Sequence, residues 1–326
     1  MDQSYYKQTK TKRGFNYSYY FSAAASGNLP VLFFAHGFPC TSFLWRRQVA
    51  FFKERGYGII ALDNLGYGGS DKPTDPKLYV GRGLAEDVVD LLDAEDIKQV
   101  VAVGHDWGAY VVSRMLHYCP QRISAVALFG SGYMPADWSL NPIRQPEVII
   151  QFFGYDVVAY QRFFVHPDAP EIIQKHLDSF ISLVFPETPE QWKTSLCAKG
   201  ATRAWLNDNK ITPLPSYFTQ EDNEHIKSSL TSGGVTAPLC CYRALNEDFN
   251  IAEDLKLSPE AREFSQPLLF VAFNEDCVGL PAVADGGHSK YAKGPLTRKE
   301  LSCDHWGILS HGQELNEMLL EWLGSL

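Results

Sequence analysis

Short apolar runs that alternate with amphipathic helical patterns restrict this chain to a small number of folds. Helical patterns occupy 42–55, 83–94 and Trp107–Tyr118. Because strand alternates with helix, we expect an α/β fold with a mostly parallel central sheet and helices on both faces. The runs are rich in β-branched and aromatic residues and are bounded by turn residues, which is typical of buried strands: Val31–Ala35, Gly58–Leu62, 99–104, 125–129 and Leu268–Phe273.

Two stretches interrupt this alternation. Polar and aromatic residues alternate over residues 5–20, which predicts an antiparallel hairpin before the parallel part. From 135 to 246 the strand signals largely vanish, and aromatic residues and helix starts such as Thr188-Pro189-Glu190 take their place. We therefore predict a helical lid at 135–246, inserted into an α/β core made of 1–134 and 247–326.

Composition and charge limit the classes of partner. The net charge of −9 and the lack of a basic stripe argue against a nucleic-acid partner. The seven cysteines form no CxxC pair, which disfavours structural zinc and disulfides and indicates free buried thiols in a reducing compartment. The N-terminus lacks an apolar secretory segment, and no apolar run is long enough to span a membrane. We expect a cytoplasmic protein, and the sequence does not indicate its oligomeric state.

The candidate nucleophile lies where the 99–104 strand meets the next helix, in the sequence GHDWGA at 104–109. This is the G-x-nucleophile-x-G pattern of a nucleophile elbow, with Asp106 at the central position. Small residues at Gly104, Gly108 and Ala109 let strand and helix approach closely. The alternative is an aspartate that caps a helix, which is very common. A carboxylate kept ionised at a helix N-terminus suits displacement at saturated carbon, whereas serine suits acyl transfer.

The candidate oxyanion donors are two backbone N–H groups. The first strand of the parallel part runs into His36-Gly37-Phe38-Pro39, a glycine-bearing loop that supplies one donor in this architecture. The residue after the nucleophile supplies the other, so we expect the N–H groups of Phe38 and Trp107. An ordinary Gly-Pro turn is the alternative. The histidines at 36 and 105 are interpreted as structural.

The candidate base is selected by its position near the end of the chain. Proteins with such an elbow carry their triad in the order nucleophile, acid, histidine. Three histidines follow the last predicted strand, and His288 lies in a Gly-Gly-His-Ser segment expected to be an exposed loop. His311 precedes the final helix and is expected to be a surface or capping residue. His305, between Cys303 and Trp306, is therefore the predicted base.

The acid partner of His305 is expected directly after the Leu268–Phe273 strand. The sequence there is Asn274-Glu275-Asp276-Cys277-Val278, and Asp276 is the predicted partner. Glu275 and Asp304 remain alternatives, as surface charges or turn residues.

Together these motifs resemble those of one family, the soluble epoxide hydrolases in the Asp-nucleophile branch of the α/β-hydrolase superfamily. The resemblance implies the α/β-hydrolase fold with a helical lid and covers the chain from about residue 10 to its end. The elbow motif is shared with haloalkane dehalogenases. Leu65 is a departure, since many relatives carry a basic residue there. The matching segments, in order, are HGFP at 36–39, GYGGSDKP at 66–73, GHDWGA at 104–109, Asp276-Cys277-Val278 and Cys303-Asp304-His305-Trp306.

Two lid tyrosines distinguish the epoxide hydrolases within this branch. The resemblance places them at Tyr160, in YQRFF, and Tyr242, in YRALN, with Tyr155 as the alternative to Tyr160. A departing epoxide oxygen is strongly basic and needs a proton donor, whereas a halide needs none. Tyrosine stays protonated at neutral pH because its pKa is about 10. The paired phenols therefore favour an epoxide over a haloalkane.

The resemblance implies an ether-bond hydrolase that converts epoxides to vicinal diols without a metal or organic cofactor. Asp106 would form a covalent alkyl ester, and His305 would activate the water that hydrolyses it. The partners are then a small epoxide and water. A haloalkane dehalogenase and a non-catalytic receptor on the same fold remain alternatives. The side chains expected to contact the substrate are Phe38, Trp107, Tyr160, Tyr242 and Trp306.

Overall fold

A single central sheet organises the chain in the computed structural model, which describes residues 1–137 and 144–326. The strand order is β1-β2-β4-β3-β5-β6-β7-β8. β2 pairs antiparallel with β1 and β4, and all remaining pairs are parallel. Both the expected hairpin and the mostly parallel sheet are confirmed. The strands within these ranges are β1 (Tyr6–Lys10), β2 (Asn16–Ser22), β3 (Val31–Ala35), β4 (Gly58–Leu62), β5 (Val100–His105), β6 (Ile123–Phe129), β7 (Leu268–Phe273) and β8 (Leu296–Leu301).

Helices cover both faces of this sheet. The helix at Gly81–Ala94 packs on the one at Trp107–Tyr118, and the helix at Arg46–Glu54 packs on the one at Gly312–Leu323. The α/β layers expected from the alternation are therefore confirmed. No helix within the described ranges combines the length and apolar character needed to cross a bilayer. The helices that connect or follow the strands are α1 (Arg46–Glu54), α2 (Gly81–Ala94), α3 (Trp107–Tyr118), α13 (Pro281–Tyr291), α14 (Gly307–Ser310) and α15 (Gly312–Leu323).

The described chain between β6 and β7 is helical, and we call residues 144–254 the helical insert. It includes α12, which extends the helical run past residue 246. The division into core and lid stays a prediction, and its segment 138–143 lies outside the described residues. The helices of the insert are α4 (Pro146–Phe153), α5 (Ala159–Phe164), α6 (Ala169–Lys175), α7 (Leu177–Val184), α8 (Gln191–Ser195), α9 (Ala201–Asn207), α10 (Gln220–Gly233), α11 (Cys240–Asn246) and α12 (Phe249–Asp254).

The parallel register brings the carboxyl ends of the central strands to one edge of the sheet. Ala35, at the end of β3, pairs with Gly104 of β5, and His105 pairs with Phe129 of β6. The loops that leave β3, β5 and β7 therefore open at the same edge, with β6 between β5 and β7. In open α/β sheets this edge is where ligands bind.

Two local expectations need correction. β8 was not expected because its residues alternate between half-buried and exposed at the sheet edge, without the apolar run of a central strand. His288 was expected in an exposed loop, and this is wrong. It lies on α13 with 1% exposure, and its Nε2 accepts the Tyr133 backbone N–H at 3.0 Å. The Gly-Gly pair suggested a loop, but helix packing against Phe270 buries the imidazole ring.

Candidate active site

The turn between β5 and α3 holds Asp106 in a conformation that L-residues rarely adopt. Its φ is 53° and its ψ is −125°, a strained geometry of the kind that clusters at functional sites. Close approach of the flanking elements explains the glycines. A Cβ on Gly108 would lie 1.8 Å from the Ala35 carbonyl oxygen, and one on Gly104 would lie 2.8 Å from Ala109 Cα. The local sequence thus has the small residues that this sharp turn requires.

Backbone donors surround the Asp106 carboxylate. The Phe38 N–H donates to Oδ1 at 2.8 Å, and the Trp107 N–H also stabilises the anion. Gly37 passes so close that a Cβ there would lie 2.3 Å from Oδ1. Burial raises the pKa of Asp106, while His305 and the two backbone donors act to lower it. The side chain keeps 19% exposure, so it is accessible to a ligand.

The predicted acid and base meet beside this carboxylate. His305 Nδ1 lies 2.7 Å from Asp276 Oδ2, and His305 Nε2 lies 3.9 Å from Asp106 Oδ2. Asp276 is buried, and its Oδ1 accepts the N–H groups of Val278 and Gly279 at 2.8 and 2.9 Å. Burial acts to raise the pKa of Asp276, but His305 and these donors hold it below its usual range. An ionised Asp276 orients the imidazole with Nε2 toward Asp106.

Three carboxylates surround His305. Burial acts to lower its pKa, but the charge and hydrogen bond of Asp276, followed by the charges of Asp106 and Asp304, raise it to about 9. His105 Nε2 donates to the His305 carbonyl oxygen at 2.9 Å and fixes the backbone of the base to the elbow. Burial holds the pKa of His105 well below its usual range, which fits its predicted structural role.

The two predicted tyrosines face each other across this site. Tyr160 lies on α5 and Tyr242 on α11, with ring centroids 6.2 Å apart and planes at 82°. The Tyr242 ring packs edge-on against Trp107 at 4.9 Å and Phe38 at 5.4 Å. Burial raises the pKa of both phenols, and the nearby Asp106 charge raises them further. Both hydroxyls therefore remain protonated at neutral pH.

The other candidate residues have different surroundings. The Tyr155 hydroxyl donates to the Cys277 carbonyl oxygen at 2.8 Å. The Trp306 indole N–H donates to the Val184 carbonyl oxygen at 2.8 Å, so this donor is not available to a substrate. Glu275 is exposed, whereas Asp304 is buried and accepts the Tyr217 hydroxyl at 2.5 Å.

Tyr217 was not identified from the sequence, because it lies in a loop between α9 and α10 with no motif around it. In the parts of the chain that the structure describes, no three His, Cys, Asp or Glu side chains form a metal-binding group.

Comparison with known proteins identifies the family of this chain. The sequence profile of the alpha/beta hydrolase fold matches residues 30–187. Epoxide hydrolase 3 of Siraitia grosvenorii is 30% identical over 260 residues, covering 78% of this chain and 77% of the relative. The chain belongs to the epoxide hydrolase family of α/β hydrolases.

Further proteins named as epoxide hydrolases are similar to nearly the whole chain. The crystal structure of Epoxide Hydrolase A from Mycobacterium thermoresistibile matches with a TM-score of 0.79 and 25% identity, covering 98% of this chain and 97% of that one. Bifunctional epoxide hydrolase 2 of Sus scrofa is 28% identical over 299 residues, covering 91% of this chain. The chain spans about half the length of that curated relative, 52%.

Proposed function

We propose that this chain hydrolyses epoxides to vicinal diols through a covalent ester on Asp106. The observation that carries the proposal is the position of the Asp106 carboxylate. It lies 3.9 Å from His305, which pairs with Asp276, and its charge raises the pKa of the protonated phenols of Tyr160 and Tyr242. The family supports the same reaction class. Asp276, His305, Tyr160 and Tyr242 each have a separate chemical task in this cycle.

In the first step, Asp106 attacks one ring carbon of the epoxide. A C–O ester bond forms as the ring C–O bond breaks, and the leaving oxygen takes a proton from Tyr160 or Tyr242. Both phenols stay protonated until this moment because burial and the Asp106 charge disfavour the phenolate. As the charge of Asp106 is consumed in the ester, the penalty on a phenolate falls, so proton donation becomes easier during the step.

In the second step, water attacks the Asp106 ester carbonyl. His305 takes one water proton and passes it to the alkoxide that leaves, which completes the diol. Asp106 is left as the acid with the second water proton, and this proton restores the tyrosine. The N–H groups of Phe38 and Trp107 stabilise the tetrahedral oxyanion, and such a donor typically contributes about 3 kcal/mol.

The charge change at Asp106 prepares His305 for the second step. In the resting protein the pKa of His305 is about 9, so the imidazole is protonated at neutral pH. Esterification removes the Asp106 charge, which is one of the contributions that raise this pKa. The pKa of His305 therefore falls after the first step, and the imidazole releases its proton to bulk water and becomes available as a base. His305 takes up a proton from water again when the Asp106 carboxylate is restored.

A direct assay tests the reaction class. The protein is incubated in parallel with styrene oxide and with a bromoalkane, and diol and bromide are measured. We expect diol from the epoxide, because the paired phenols can protonate its oxygen. Bromide release without diol formation would instead favour haloalkane dehalogenation.

The ester is tested by removing the base. His305→Gln should accumulate a protein–substrate adduct that intact-mass spectrometry detects, because ester hydrolysis is slowed while Asp106 still attacks. The matched control is the double variant Asp106→Ala/His305→Gln, which should show no adduct. If the parent protein turns over an epoxide that leaves no adduct on His305→Gln, the ester mechanism is wrong.

A further inference from the structure

Asp304 is a buried carboxylate whose two oxygens both accept hydrogen bonds. The Tyr217 hydroxyl donates to Oδ2 at 2.5 Å, and the Trp306 backbone N–H donates to Oδ1 at 2.9 Å. Only 9% of the residue is exposed. Burial raises the pKa of this carboxyl, while both donors act to lower it. The two donors favour the carboxylate form, against the effect of burial.

The charge of Asp304 acts on His305 because of where Asp304 lies. The two residues are adjacent in sequence and line the same small cleft. Asp304 is one of the charges that raise the pKa of His305, after Asp276 and Asp106. Its partner Tyr217 comes from the helical insert, so the insert contributes a hydrogen bond to the loop that carries His305.

We propose that Asp304 is a positioning residue for ester hydrolysis, and that its carboxylate, held by Tyr217, keeps His305 basic after Asp106 has become a neutral ester. This inference rests on the proposed two-step cycle. Once Asp106 is esterified, Asp276 and Asp304 are the remaining carboxylates among those that act on the imidazole. A histidine with too low a pKa would be neutral but too weak to take the proton of water.

The other titratable groups around the imidazole act differently. His105 is neutral, because burial and the charge of His305 hold its pKa well below its usual range, so it adds no charge beside the imidazole. Burial raises the pKa of the Cys277 and Cys303 thiols, so both are neutral at physiological pH. Glu275, in the same cleft, is exposed and screened by water. In the insert, Glu190 and Lys193 carry opposite charges that act on Cys277. The groups facing this region from the elbow, the loop after β7, the loop after β8, the final helix and the insert include His105, Asp106, Glu190, Lys193, Glu275, Asp276, Cys277, Cys303, Asp304, Glu314 and Tyr217.

Asp304→Asn tests the role of the charge, because asparagine keeps the shape of the side chain. Its rates of ester formation and ester hydrolysis are measured in single turnovers of styrene oxide between pH 6 and 10. Without the Asp304 charge, the protonated form of His305 is less favoured and its pKa is lower. The acid limb of the pH–rate profile for ester hydrolysis should therefore move to lower pH by roughly one unit. The rate at the high-pH plateau should fall several-fold because the base is weaker. Ester formation should change less than about twofold, since Asp304 does not act in that step.

Two further variants separate charge from structure. Glu275→Gln removes a neighbouring but exposed charge, and it should leave the acid limb in place. Asp304→Glu keeps the charge in an altered shape, and it should restore the parental limb even if the plateau rate falls. A purely structural role for Asp304 would lower the rates of both Asp304 variants without moving the limb, and that result would overturn the proposal.

A measurement without substrate distinguishes failure of this proposal from failure of the proposed function. NMR titration of the His305 imidazole in the resting protein, assigned with His305→Gln, should give a lower pKa in Asp304→Asn than in the parent. An unchanged pKa would reject the role of Asp304 whether or not the protein opens epoxides. Absence of diol together with a lowered pKa would reject the proposed function alone.

Discussion

The phenol hydroxyls of Tyr160 and Tyr242 stay protonated at neutral pH, so each can act as a proton donor in the candidate site. Tyr242→Phe removes one hydroxyl while retaining the ring that packs on Trp107 and Phe38. We expect ester formation to slow by about 10²–10⁴-fold, the usual contribution of a general acid. The measurement is the single-turnover rate of adduct formation with styrene oxide, and Tyr160→Phe should act in the same direction.

Tyr155→Phe is the matched control for these two variants. Its hydroxyl donates to the Cys277 carbonyl oxygen rather than facing the Tyr160 and Tyr242 pair. Adduct formation by this variant should stay within a few-fold of the parent rate. A loss as large as that of Tyr242→Phe would mean that Tyr155 belongs to the oxygen-binding pair.

At the scale of elements, the closeness of α3 and β3 depends on the absence of a side chain at Gly108. A Cβ there would lie 1.8 Å from the Ala35 carbonyl oxygen, so strand and helix would have to separate. We expect Gly108→Ala to lower the free energy of unfolding by at least about 1–3 kcal/mol, as overpacking does. Urea denaturation measures this change.

Gly286→Ala provides a control for the substitution itself. Gly286 lies within α13, and nothing is within 4 Å of its added Cβ. Alanine is favoured over glycine in a helix interior by about 1 kcal/mol. The control should therefore be neutral or stabilising, and equal destabilisation by both variants would exclude the close approach as the cause.

For the whole molecule, a buried ion pair joins the helical insert to α3, a helix that packs on the central sheet. Arg114 of α3 and Asp254 of α12 lie 2.9 Å apart, with side-chain exposures of 2% and 1%. Removing one partner of such a pair leaves an uncompensated buried charge, which costs about 3–5 kcal/mol. We expect Asp254→Ala to lower the free energy of unfolding by this amount in urea denaturation.

Asp285→Ala is the matched surface control. Asp285 pairs with Arg298 at 2.9 Å, but both side chains are more than one third exposed, at 40% and 37%. Solvent screening limits such a pair to about 1 kcal/mol or less. If Asp254→Ala were no more destabilising than Asp285→Ala, the buried pair would not hold the insert to α3.

Residue patterns at short spacing are enough to predict several features of this protein. Bounds such as Val31–Ala35 and Trp107–Tyr118 follow from apolar periodicity and turn residues, and the elbow at Asp106 follows from a local need for small residues. Asp106 was predicted from the elbow motif, Asp276 from its place after the last predicted strand, and His305 from chain order and its flanking residues. Their roles remain part of the proposed function.

Other features depend on residues that are distant in sequence, and they become visible only in the folded protein. The edge strand β8 and the burial of His288 result from neighbours far along the chain, which leave no periodic signal. Asp304 was predicted only as an alternative acid, because nothing near it in sequence shows that Tyr217, 87 positions away, donates to its carboxylate. Side-chain size and polarity at short spacing determine local structure. The burial of a side chain and the ionisation of a buried group depend instead on which segments the fold brings together.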